Sequence, residues 1–138
     1  MKASGSCKIQ VAIMGKLKKT LSIIALLFVF IPFTGVQAGE ADVVNVVVKQ
    51  IGERAYHFDV SVAHADTGWD HYADKWEVVA PDGTILGTRI LHHPHVNEQP
   101  FTRSLSNVAI PANINRVIIR AHDSVHAYGG RTMRVELP

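Results

Sequence analysis

From residue 42 onward, apolar and polar positions alternate in short runs, each closed by turn-forming residues. A period of two is the signature of half-buried β-strands. "DVVNVVVKQ" (42–50) is rich in valine and predicts a first strand. In "AYHFDVSVAH" (55–64), Tyr56, Phe58, Val60 and Val62 share one face, and His57, Asp59 and Ser61 share the other. "DKWEVVA" (74–80) predicts a third strand with Trp76 and Val78 inward, and "TILGTRIL" (84–91) a fourth. The "PDG" between them is a tight turn, since proline presets φ and glycine accepts a positive φ. "FTRSLSNVAI" (101–110) and "INRVIIRAH" (114–122) follow, the latter with Val117, Ile119 and Ala121 on one face. "RTMRVELP" (131–138) closes the series with Met133, Val135 and Leu137 inward. No convincing helical period occurs after residue 38; "DTGWDHYAD" has room for one helical turn. The Gly129–Gly130 pair reads as a turn that needs positive φ.

Seven short strands with turns at regular spacing predict an all-β antiparallel sandwich. In strand number, spacing and a tryptophan on the third strand, the chain resembles immunoglobulin-like domains, including the fibronectin type III kind. The resemblance is one of architecture, with no cysteine pair behind it. It implies a core role for Trp76.

The segment before residue 39 changes the picture of charge. Lys16, Lys18 and Lys19 precede the apolar run "LSIIALLFVFIPF", and Val36 and Ala38 stand where a signal peptidase needs small residues. Residues 1–38 are therefore expected to be a cleaved signal peptide, with Met14 as an alternative start and an uncleaved anchor as the alternative fate. Residues 39–138 form a single domain, large enough to bury its own core. Any membrane association is expected only through the signal segment, and the expected location is secreted or periplasmic. Cys7, the one cysteine, precedes the apolar run and is not placed for lipid attachment. Without residues 1–38, the net charge of +2 becomes −3, with nine basic against twelve acidic residues. That balance excludes a basic nucleic-acid footprint.

All eight histidines lie after residue 38. If strand directions alternate, the second, fourth and sixth connections share one end of the sandwich. Those connections carry His64 and His71, then His92, His93 and His95 in "HHPH", then His122 and His126 in "HDSVH". Only His57 falls elsewhere. Neutral imidazole with nearby carboxylate is an N/O donor set suited to zinc(II) or copper(II) rather than copper(I). The candidate ligands are His92, His93, His95, His122 and His126, followed by His64 and His71. Asp123 and Asp70 are candidate supporting carboxylates or further ligands. Protons compete for the same nitrogens, so affinity is expected to fall below about pH 6–7. A copper motif at the mature amino terminus would need histidine where Ala41 stands.

The alternative is a recognition module for a protein or small ligand, with Trp69, Tyr72 and Tyr128 as its surface and Arg89, Arg103 and Arg131 nearby. The plain reading of these residues is rim aromatics over the core and exposed strand arginines. No nucleophile elbow, phosphate loop or H-E-x-x-H motif marks an enzyme.

Overall fold

The computed structural model describes residues 39–138; the expected signal segment lies outside the described residues. All seven predicted strands form: β1 (Asp42–Gly52), β2 (Ala55–Ala63), β3 (Ala73–Val79), β4 (Ile85–Ile90), β5 (Phe101–Ala109), β6 (Arg116–Asp123) and β7 (Met133–Glu136). They make two antiparallel sheets, ordered β1-β2-β5 and β4-β3-β6-β7. No helix occurs among the described residues. The segment expected to hold a helical turn is instead a tight turn closed by a bridge between Gly68 and His71.

The alternation read from the sequence decides what each strand buries. Tyr56, Phe58, Val60 and Val62 of β2 face Trp76 and Val78 of β3 and Val117, Ile119 and Ala121 of β6 in one core. Each fully buried side chain of this size contributes about 1.5–3 kcal/mol through removal of apolar surface from water. Trp76 is wholly buried, as a core tryptophan should be. Met133, Val135 and Leu137 are only half-buried and pack on the margin of this cluster. The outward residues of β2 make a polar ladder with β5: His57 meets Ser106 at 2.6 Å, Asp59 meets Ser104 and Ser61 meets Thr102.

The shared end expected for the histidine-bearing connections requires that strand directions alternate. Only β1–β2, β3–β4 and β6–β7 are hairpins; the other three connections cross between the sheets. The parity survives because a crossover also reverses chain direction. At one end the hydrogen bonds and close approaches join the β2–β3, β4–β5 and β6–β7 connections. The opposite end carries the Asp82–Gly83 turn, with Gly83 at φ 92°, and the β5–β6 connection.

One turn works differently from its sequence expectation. Neither Gly129 nor Gly130 has a positive φ; Ala127 does, at 61°. A Cβ on Gly129 would overlap the Glu40 side chain, and one on Gly130 the Ala41 carbonyl. These glycines serve the close passage of the segment leading into β1.

Candidate metal centre

Two strands deliver acidic and basic groups to the core by continuing their own alternation one step beyond the last apolar residue. On β2 the inward series 56, 58, 60, 62 runs on to His64. On β6 the series 117, 119, 121 runs on to Asp123. β2 and β6 belong to different sheets, so these side chains meet across the end of the sandwich. The Gly68–His71 bridge turns His71 toward the same place.

His64, His71 and Asp123 offer ligand atoms that all lie within 4.8 Å of one another. The two imidazole Nε2 atoms are 3.2 Å apart, and His71 Nε2 is 3.0 Å from Asp123 Oδ1. His126 adjoins the group: its Nδ1 lies 3.2 Å from Asp123 Oδ1, and its ring sits 4.9 Å from that of His71. The side chains of His64 and Asp123 are fully buried, whereas His71 keeps 15% and His126 34% of theirs in solvent. A solute would therefore reach the group past His71 and His126.

Hydrogen bonds fix which atoms are free. Asp66, also buried, takes His64 Nδ1 at 2.5 Å on Oδ1. That assigns the His64 proton to Nδ1 and leaves the Nε2 lone pair facing the group. The same oxygen accepts the Ala73 amide at 3.0 Å, and Oδ2 accepts the His95 amide at 2.6 Å. Asp123 Oδ1 accepts the amides of Val125 and His126 at 2.9 and 2.7 Å. Asp123 Oδ2 is buried with no hydrogen-bond partner among the described residues. Burial by itself raises the Asp123 carboxyl. The His126 and Val125 amides and the His71 imidazole outweigh it and hold the group below the usual carboxylate range.

Among the described residues, two buried carboxylates thus have only imidazoles as ion-pair partners. A buried carboxylate oxygen without a partner is costly. A divalent cation would satisfy it, and the donors are those zinc(II) and copper(II) prefer.

The other predicted residues lie elsewhere. His122 is the neighbour of Asp123 on a strand, so it faces outward, bonds Asp74 at 2.6 Å and sits edge-on to Tyr128. Tyr128 donates to Glu77 at 2.8 Å under the Arg120 guanidinium. In the "HHPH" segment, His92 and His93 are exposed and only His95 is buried. His95 stacks on Phe101 at 3.9 Å between ring centres, and neither ring nitrogen has a hydrogen-bond partner among the described residues. Burial lowers its proton affinity, aided by Arg103 and His93 and opposed by Asp66 and Glu98. Its Nδ1 is 3.9 Å from Asp66 Oδ2, so it borders the centre from behind Asp66. Asp70 touches this region through its carbonyl, which accepts from Ser124 at 3.4 Å. Trp69 is exposed and meets Tyr72 edge-on, apart from Tyr128 and its partners. Asp66 has no assigned role in the sequence pattern, and Asp123 stands there as a supporting carboxylate or further ligand.

No family model matches the chain, and no solved structure matches it. A protein of Halomicrobium mukohataei, named as a candidate lipoprotein, is 43% identical over 97 residues, which is 70% of this chain. The chain spans about half, 47%, of the length of that curated relative.

Proposed function

We propose that residues 39–138 are an exported domain that binds one divalent transition-metal ion, zinc(II) or copper(II), through His64, His71 and Asp123, with His126 beside them. The observation that carries this reading is that those three residues offer ligand atoms within 4.8 Å of one another, at a buried carboxylate of which one oxygen has no hydrogen-bond partner among the described residues. Asp66 is the outer partner that sets the His64 tautomer. A bound ion would supply the positive charge that two buried carboxylates lack.

For the fold, the reading is an immunoglobulin-like sandwich of the fibronectin type III kind. Its support is the pairing of β4 with β3 rather than with β5, together with the buried Trp76 on the third strand. For location, the basic and apolar pattern before residue 39 and the name of the relative both favour the cell envelope or its exterior. Because Cys7 precedes the apolar run, export without lipid attachment at that residue is the reading for this chain.

Native mass spectrometry and calorimetric titration of untagged protein test the metal. One zinc or copper ion per chain is expected, with affinity lowered more than about a hundredfold in His71→Ala. Wild-type affinity in His71→Ala, or no bound metal at excess ion, would leave the recognition module, with exposed Trp69 as its contact residue.

A further inference from the structure

The two ends of the sandwich are built with opposite polarity. At the end away from the histidines, a cation of the chain itself ties two connections together. Arg54, in the β1–β2 turn, donates Nε to the Ile110 carbonyl at 2.9 Å and Nη2 to the carbonyls of Pro111 and Ile114. It thereby ties the first sheet to the connection that crosses into the second. At the histidine end the buried carboxylates are those of Asp66 and Asp123, and among the described residues no lysine or arginine pairs with either.

We propose that the metal ion is the missing cation of that end, a clasp joining β2 to β6 across the two sheets. This rests on the metal-binding reading above. β2 is the middle strand of its sheet and β6 an interior strand of the other. Sandwiches of this class can join the corresponding pair of strands by a disulfide, and residues 39–138 contain no cysteine.

The clasp reaches beyond its ligands. His64 holds Asp66, and Asp66 holds the amides of Ala73, at the start of β3, and His95, in the β4–β5 connection. Asp123 holds the amides of Val125 and His126 in the β6–β7 connection. The start of β3 and two connections therefore depend on two carboxylates, Asp123 in the group itself and Asp66 behind His64. The ion orders amides it never touches.

Amide hydrogen exchange on chelator-treated and zinc-loaded protein tests this, with occupancy read by native mass spectrometry on the same samples. Zinc should slow exchange at Ala73, His95 and Val125 at least about tenfold more than at Gly83 and Ile110 on the opposite end. In Asp66→Asn, zinc should still bind, roughly 10–100-fold more weakly, and at saturating zinc the extra protection of His95 should be gone. Bound zinc with equal slowing at both ends, or with none at His95, would overturn the clasp and leave simple metal binding standing. Failure to bind zinc at all would overturn both.

Discussion

Asp123→Ala is expected to abolish metal binding, lowering affinity for zinc more than about a hundredfold, since loss of even an outer partner of a ligand costs 10–100-fold. The substitution removes the carboxylate that reaches the site from the second sheet, including the unpartnered Oδ2. It also strips the Val125 and His126 amides of their acceptor, which costs the metal-free protein about 1–3 kcal/mol. Asp123→Asn separates these effects. An asparagine oxygen can still accept both amides, so metal-free stability should stay near that of the parent, while its neutral side chain is a poor ligand. Urea unfolding of chelated protein and zinc titration of both variants give the two readouts. Wild-type affinity in Asp123→Asn would remove the carboxylate from the site.

Trp76→Ala should be the most damaging change to the fold, at about 3–5 kcal/mol, because it empties a large volume that a packed core refills only in part. Trp76 is wholly buried among residues of both sheets. A domain of this size has about 5–15 kcal/mol in total, so the loss should lower Tm by more than about 10 °C. Trp76→Phe keeps most of the ring and removes an indole N–H that has no hydrogen-bond partner among the described residues. Its cost should be only about 1–2 kcal/mol. Similar Tm values for Trp76→Ala and the parent would contradict the core position of this residue.

The strands were legible in the sequence because each buries one face, and burial imposes a period of two that slips only at bulges. The end on which the histidines gather was legible too, because chain direction reverses at hairpins and crossovers alike. Which histidines meet was legible in part. His64 and Asp123 lie one step beyond the apolar residues that mark β2 and β6, and extending each alternation by that step points both inward. The same step sends His122 outward, where it meets Asp74. The "HHPH" segment was not readable in this way. Proline breaks the alternation there, and the place of His95 depends on a loop that folds it onto Phe101. Asp66 follows β2 in irregular chain. Its role rests on contacts with Ala73 and His95 that no local pattern encodes.

The most direct test of the central claim is a zinc titration followed by side-chain ¹⁵N NMR of the histidines. Zinc should shift the Nε2 resonances of His64 and His71, with His64 Nδ1 protonated throughout by its bond to Asp66. His57, His92, His93 and His122 should stay in place. Shifts confined to the exposed pair His92 and His93, with His64 and His71 unmoved, would contradict a centre built from the inward ends of β2 and β6.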